Sequence, residues 1–348
     1  MNLNDTIRSL EHKALDFLGE NSFGRKLIAY LGEPYVAGHS LQEGIERAIL
    51  EFNKNSRYGT LDILGEGART EAKSQEYVNA YKQLITMVDD NRVGGEAIAS
   101  VSLKPSALIV VDEKGLPTNQ GSSLQERLED LVSYAKAREV QITIDMEDHD
   151  WTDITLEAAK EVWRKGYDNL GIVLQSRLNR TRNDVSDLFG DTSYTLVPKG
   201  KMRVRACIGI YNEHADIAVT DREEAKDRLI DRQRELFQAG IYVESATHDH
   251  KRIRQTETQM EELRVPKEMH EFQFLLGVQN AYNIDHELRD RGHKVRYYMP
   301  VELNKGDGVK YMIRRLKANP EMITHGIKNT LQRIYSLFSK NQAYQKAV

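Results

Sequence analysis

The hydrophobic and polar positions of this chain alternate between two rhythms. Short runs rich in Val, Ile and Leu occupy residues 60–64, 98–103, 140–145, 170–174, 204–209, 241–245, 272–276 and 295–299. Most are followed by a stretch in which apolar residues recur every three or four positions, the spacing of one helix face. Tyr77, Ala80, Tyr81, Leu84, Ile85 and Val88 carry this pattern, and Leu41, Ile45, Ala48, Ile49 and Phe52 form another such face. Ser40 with Glu43 three residues on is a capping box that opens the second of these helices. Thr155 is the expected cap of the helix that follows 140–145. Val309, Met312, Ile313 and Leu316 make a further stripe, predicting a helix over 309–319 that Pro320 stops.

Strand-like runs alternating with helices imply a parallel sheet, because parallel neighbours need a crossover. Eight such units over roughly 250 residues match a closed (β/α)8 TIM barrel, an α/β fold. Residues 3–33 read as two short helices broken around 19–22, which makes 1–34 an N-terminal helical arm and 35–348 the barrel domain. Residues 107–121 exceed an ordinary loop and predict a small hairpin, while 180–202 and 212–222 predict long loops. No Pro/Gly-rich linker divides the chain.

Composition narrows the classes of function. With 49 basic against 53 acidic residues and a net charge of -4, the chain lacks the basic excess of a nucleic-acid footprint. A single cysteine, Cys207, allows neither an intrachain disulfide nor a cysteine metal cluster, and suits a reducing compartment. No run of about 18 apolar residues is present to span a membrane. The acidic residues Asp5, Glu11 and Asp16 near the start are unlike a signal or transit peptide.

The candidate chemistry lies where the strands end. Asp62, Lys104, Asp145 with Glu147, Gln175, Arg205, Thr247 with His248, and Tyr298 fall within or just after apolar runs. Each is costly there unless paired or used, and barrel enzymes gather their active sites at the C-terminal strand ends. Arg314 and Arg315 sit beside the apolar stripe of the last predicted helix, with Tyr311 one turn back. Lys104, Arg205 and these two arginines suit an anionic ligand, or a cofactor with phosphates plus an acidic substrate. Neither a GxGxxG after a strand nor a GxxxxGK[ST] occurs. His248, Asp249 and His250 with Asp145, Glu147 and His149 leave a metal-dependent barrel hydrolase as an alternative.

These residues, taken in order, resemble the flavin-dependent proline dehydrogenase family, in its monofunctional bacterial type. The resemblance runs from about Tyr35 to Pro320. It is carried by Tyr35-Val-Ala-Gly38, Thr60-Leu-Asp-Ile-Leu-Gly-Glu66, Val101-Ser-Leu-Lys104, Ile144-Asp-Met-Glu147, Val173-Leu-Gln175, and Arg205 with Gly209 and Tyr211. Ala246-Thr-His248, Glu271-Phe-Gln-Phe-Leu-Leu-Gly277, Tyr298-Met-Pro300 and the Arg314-Arg315 helix complete the set.

The resemblance implies a distorted (β/α)8 barrel with an N-terminal helical arm and a final helix over the barrel mouth. It implies oxidation of L-proline to Δ1-pyrroline-5-carboxylate by hydride transfer to FAD N5, the first step of proline catabolism, with no metal. Arg314, Arg315 and Lys104 would then bind the substrate carboxylate, Tyr298 would pack beside the substrate ring, and Asp145 would sit near it. Arg205 would lie near flavin N5, and Gln175 would bond the flavin's pyrimidine edge. Thr247, His248 and the backbone around Gly209 and Tyr211 would contact the cofactor, and Ala206, Ile210 and Leu275 would line its apolar surround. A quinone electron acceptor, and a cytoplasmic location with at most peripheral contact at the inner membrane, are further implications.

The chain departs from the family pattern in places. Where the family has Val-Lys-Gly-Ala-Tyr, this chain has Ala206-Cys-Ile-Gly-Ile-Tyr211, so Ile208 replaces a lysine and Ile210 a small alanine. Ala318 stands at a family glutamate position. Hydroxyproline or another cyclic imino acid is accordingly an alternative substrate.

Overall fold

The computed structural model describes residues 20–118, 120–304 and 306–318, without the side chains of Phe23, Lys310, Arg314, Lys317 and Ala318. The part of the expected arm before residue 20, Pro320, and the side chains of Arg314 and Ala318 lie outside the described residues. Two compact units are present. One is Ala37–Leu303, and the described residues of the other are 20–36, 304 and 306–318.

In chain order the helices are α1 (Ser22–Gly32), α2 (Leu41–Asn55), α3 (Glu71–Asp90), α4 (Pro105–Leu108), α5 (Leu124–Lys136) and α6 (Thr152–Arg164). They continue with α7 (Thr181–Phe189), α8 (Arg222–Gln238), α9 (His250–Leu263), α10 (Gln279–Asp290) and α11 (Asp307–Ala318). The strands are β1 (Tyr58–Leu64), β2 (Ala99–Leu103), β3 (Ile142–Ile144), β4 (Leu170–Gln175), β5 (Arg203–Cys207), β6 (Tyr242–Ala246), β7 (His270–Leu275) and β8 (Lys294–Glu302).

All eight strands pair in parallel, in sequence order, and β8 closes on β1 with Tyr58 opposite Arg296 and Leu64 opposite Glu302. The eight expected runs are thus the eight staves of a closed barrel. β8 runs past Pro300, where the sequence pattern stopped it. The Pro300 carbonyl accepts from Ala37 N–H at 2.7 Å, and Glu302 N–H donates to the Gly38 carbonyl at 3.0 Å. In an extended strand a residue's N–H and C=O point to the same side, so the N–H that proline lacks takes no bond from β1.

The helices cover the outer face of the sheet with the stripes expected of them. Tyr77, Ala80, Tyr81, Leu84, Ile85 and Val88 of α3 are all buried. Burying each such large side chain contributes about 1.5–3 kcal/mol. Helix α2 approaches the sheet at Gly44, where an added Cβ would come within 2.5 Å of Val301 Cγ2. At its start the Ser40 hydroxyl accepts from Glu43 N–H, while the Glu43 carboxylate reaches His39 N–H, one residue beyond a true capping box. The complete capping box is the unforeseen one at Ser123 and Glu126.

Two local expectations are corrected. Thr155 does not cap α6, because a 3-10 turn at His149–Trp151 brings buried Trp151 inward and starts the helix at Thr152. The span 180–202 is not all loop. It carries α7, whose Val185, Leu188 and Phe189 are buried. The hairpin expected in 107–121 is present in brief, with Val111 bridged to antiparallel Pro117 and Thr118 N–H bonded to the Val110 carbonyl at 3.0 Å.

In the second unit, α11 buries Val309, Tyr311, Met312 and Leu316. Gly32 of α1 lies against Met312, and a Cβ there would meet the methionine's Cγ.

Candidate active site

An extended strand sends successive side chains to opposite faces, and in this barrel the inner face is polar. Ser100 and Ser102 of β2, Arg203 and Arg205 of β5, Glu244 of β6, Glu271 and Gln273 of β7, and Arg296 and Tyr298 of β8 alternate with residues on the outer face that are apolar apart from Ser245 and His270, which bond each other. Hydrogen bonds across the barrel fix the inward direction. Arg205 Nη1 donates to Ser102 Oγ at 3.1 Å, and its Nε to Gln273 Oε1 at 2.6 Å. Barrel interiors are ordinarily filled with branched aliphatic residues, so this much buried charge needs dense pairing.

At the C-terminal strand ends the pairing centres on Asp145. Its carboxylate accepts from Arg205 Nη1 at 2.7 Å, Tyr298 OH at 2.6 Å and Ser102 Oγ at 2.9 Å. Lys104 Nζ lies 3.6 Å away, 3.2 Å from Tyr298 OH, and ion-paired with fully buried Asp62. Pro105 follows Lys104 and begins α4, so β2 ends with the lysine at its tip. Tyr81 OH, from α3, accepts from the Lys104 N–H at 3.3 Å.

The titrations follow from burial and charge. Burial pushes the Asp145 carboxyl up, but Arg205, Lys104 and the Tyr298 and Ser102 hydroxyls outweigh it and hold it below the ordinary carboxylate range. Burial, with neighbouring Asp145, raises Asp62 despite Lys104. Burial lowers the Lys104 ammonium, yet Asp62, Tyr298 and Asp145 more than offset it, and the lysine stays charged. Burial and the two carboxylates push the Tyr298 phenol well up, so it is a proton donor in its bond to Asp145.

A second group of the expected residues lines β4 to β6. Gln175 Nε2 donates to the Glu147 carbonyl at 2.6 Å, and its Oε1 is buried without a hydrogen-bond partner. Arg205 Nη2 is likewise buried and unpartnered. Gly209 has φ 91°, and a Cβ there would run into Gln175 Oε1. The Tyr211 carbonyl accepts from Arg177 Nη1 at 2.8 Å. Thr247 Oγ1 accepts from Asp249 N–H at 3.2 Å, and His248 Nε2 from Leu275 N–H at 2.9 Å.

The residues of the metal alternative do not gather. His149 bonds Glu213 at 2.8 Å, Asp249 caps α9, and His250 bonds the Asn280 carbonyl at 2.9 Å. Among the described residues no group of three His, Cys, Asp or Glu converges to hold a metal ion. Arg315 belongs to the second unit, where its Nε donates to Tyr311 OH at 3.1 Å.

Sequence reasoning passed over Ser102, Glu244, Gln273 and Arg296. Their signal was present: a polar residue at every second position of Glu271-Phe-Gln-Phe, in a fold where both sheet faces are buried. What the pattern could not give was the partner of each.

Fold and site together define a (β/α)8 barrel of the enzyme type, with Asp62, Lys104, Asp145, Arg205 and Tyr298 gathered toward the C-terminal strand ends and buried polar atoms, Gln175 Oε1 and Arg205 Nη2 among them, still without a partner. A family model described as proline dehydrogenase matches residues 45–323, and the chain belongs to that family. Proline dehydrogenase 1 of Bacillus subtilis subsp. natto is 26% identical over 299 residues, 86% of this chain and 90% of that protein. Proline dehydrogenase of Deinococcus radiodurans is 28% identical over 314 residues, covering 88% and 92%. Among solved structures, proline utilization A from Bdellovibrio bacteriovorus inactivated by N-propargylglycine aligns with a TM-score of 0.72 and 25% identity. That alignment covers 82% of this chain and 32% of the longer protein, so this chain spans about a third of its length.

Proposed function

We infer that this chain oxidises L-proline to Δ1-pyrroline-5-carboxylate with FAD, the first step of proline catabolism. Family membership over residues 45–323 supports the reaction. The observation that carries the cofactor is a pair of unpartnered buried atoms, Gln175 Oε1, against Gly209, and Arg205 Nη2 on the neighbouring strand. An isoalloxazine would offer an N–H to the first and acceptor atoms to the second, and Gly209, with no Cβ to strike Gln175 Oε1, lets that amide keep its place. FAD, when bound, supplies the two-electron acceptance that the oxidation requires. Gln175, Arg205, Gly209, Tyr211, Thr247 and His248 would hold it.

The remaining residues bind and orient the substrate. Lys104 and Arg205 are balanced within the cluster by Asp62 and Asp145. A substrate carboxylate entering this cluster therefore needs further positive charge, and Arg314 and Arg315 are the residues we assign to it, with Lys104 as a hydrogen-bond donor. Arginine's planar fork suits a carboxylate in two-point contact. Tyr298, held by Asp145, would form one wall beside the substrate ring. Holding the ring in one orientation is where such a site gains rate.

We further assign a quinone as electron acceptor and a cytoplasmic location with peripheral membrane contact at most. No helix among the described residues is long and apolar enough to cross a membrane. The test is the absorption spectrum of the purified chain supplied with FAD. A flavin spectrum that bleaches on anaerobic addition of L-proline is expected. A bound flavin bleached by hydroxyproline but not by proline would refute the substrate, and a folded chain that takes up no flavin would refute the whole reading.

A further inference from the structure

Below the Asp145 cluster the barrel axis holds a second set of buried charges. Glu271 is clamped by Arg296, whose Nε and Nη2 donate at 2.6 and 3.1 Å. Glu244 lies 3.6 Å from Arg205 Nε and 3.7 Å from Arg203 Nη1. Between these carboxylates and Arg205 stands Gln273, 3% exposed. Its Nε2 donates to Glu244 Oε2 at 2.6 Å and to Glu271 Oε1 at 2.7 Å, and its Oε1 accepts from Arg205 Nε at 2.6 Å. Turning the amide over would set its oxygen against two carboxylates, so its orientation is fixed.

Arg205 therefore meets a neutral acceptor at Nε, with Glu244 held at 3.6 Å, beyond hydrogen-bond contact. Its hydrogen-bonded anionic partner is Asp145 at 2.7 Å, and Nη2 is left for a ligand.

We propose that Gln273 is a positioning residue for Arg205: an amide locked by Glu244 and Glu271 that holds the guanidinium toward Asp145 and keeps Glu244 from closing to a direct hydrogen bond with it. The proposal rests on the reading that Arg205 lies beside the reactive edge of bound flavin. A guanidinium whose charge is less offset by a carboxylate there favours the reduced, anionic flavin and raises its potential. A guanidinium drawn to a carboxylate below does so less.

The test is a redox titration of the FAD-loaded full chain in three variants, with flavin content and urea unfolding measured alongside. Gln273→Glu puts a carboxylate against Arg205 Nε. Gln273→Met removes the acceptor without adding charge. Gln273→Glu combined with Glu244→Gln keeps the total charge but exchanges amide and carboxylate. The expected result is a lower two-electron midpoint potential in all three. For the two Gln273→Glu chains the expected change is at least tenfold in the equilibrium, about 30 mV. The double variant still sets a carboxylate against Glu271, so its unfolding midpoint falls; wild-type flavin content in the folded chain is what separates its lowered potential from a merely structural loss. Wild-type potential in the double variant would overturn the proposal, since charge number alone would then suffice. If Gln273→Glu does not fold, Gln273→Met and the double variant decide by the same measure. A wild-type chain that binds FAD while every folded variant keeps its potential sinks the role of Gln273 alone. A wild-type chain that takes up no FAD sinks the flavoenzyme reading and this role together.

Discussion

Asp145 collects three hydrogen bonds and a more distant lysine at one carboxylate, and its removal has a calculable cost. In Asp145→Ala, Arg205 loses its 2.7 Å partner while Nη2 is already unpartnered, and Tyr298 OH loses its 2.6 Å acceptor. Breaking one side of a buried ion pair costs about 3–5 kcal/mol, because the remaining charge stays desolvated. Asp145→Asn keeps an acceptor for Arg205 but not the charge, and should cost about 1.5–3 kcal/mol. Ser102→Ala removes one neutral donor from the same carboxylate and should cost about 1 kcal/mol. Urea unfolding followed by the fluorescence of buried Trp151 and Trp163 reads all three. The pH dependence supplies a second check. The folded carboxyl titrates below its unfolded value, near about 3.9, so its stabilisation is full above that pH and is lost as pH falls through the folded value. The Asp145→Asn penalty should therefore shrink below about pH 4. Three equal penalties, or an Asp145→Ala cost under about 1 kcal/mol, would refute the picture of Asp145 as the charge that balances the cluster.

Other outcomes can be stated more briefly. Arg315→Ala should raise KM for proline by about one to two orders of magnitude, the loss of one charge-assisted contact to a carboxylate; an unchanged KM in steady-state assays would remove Arg315 from the substrate site. His270 is buried and burial pushes its imidazole down to about 3, so the folded chain excludes a proton that the unfolded chain binds. Stability should then fall as pH drops from about 6.5, by up to about 1.4 kcal/mol per pH unit, and His270→Gln should flatten that slope in urea titrations. Gly44→Ala should lower the unfolding midpoint because its methyl meets Val301 at 2.5 Å, and adding Val301→Ala should recover part of the loss.

Much of the barrel was legible because its helices and strands differ in period. The stripe from Tyr77 to Val88 reads as one face of a helix, and the apolar runs of five or six residues read as strands because they alternate with such helices. Where the reading failed, a tertiary contact outweighed the local signal. Burial of Trp151 started α6 before Thr155, and the pairing of Ala37 and Gly38 with β8 carried the strand through Pro300. The candidate site was legible as a set of residue types at strand ends, and Lys104, Asp145, Arg205 and Tyr298 do meet.

By itself, then, the amino-acid order determined eight strand runs, the helices between them and which polar residues lie near the strand ends, since these depend on spacing within a few positions. Partnership was decided only in three dimensions. Arg205 and Gln273 stand 68 residues apart, and Asp145 and Tyr298 stand 153 apart. Ring closure and strand register bring each pair within 2.6 Å. A local pattern carries no information about register around a closed sheet, so which buried charge neutralises which was fixed by the barrel and not by the sequence motif.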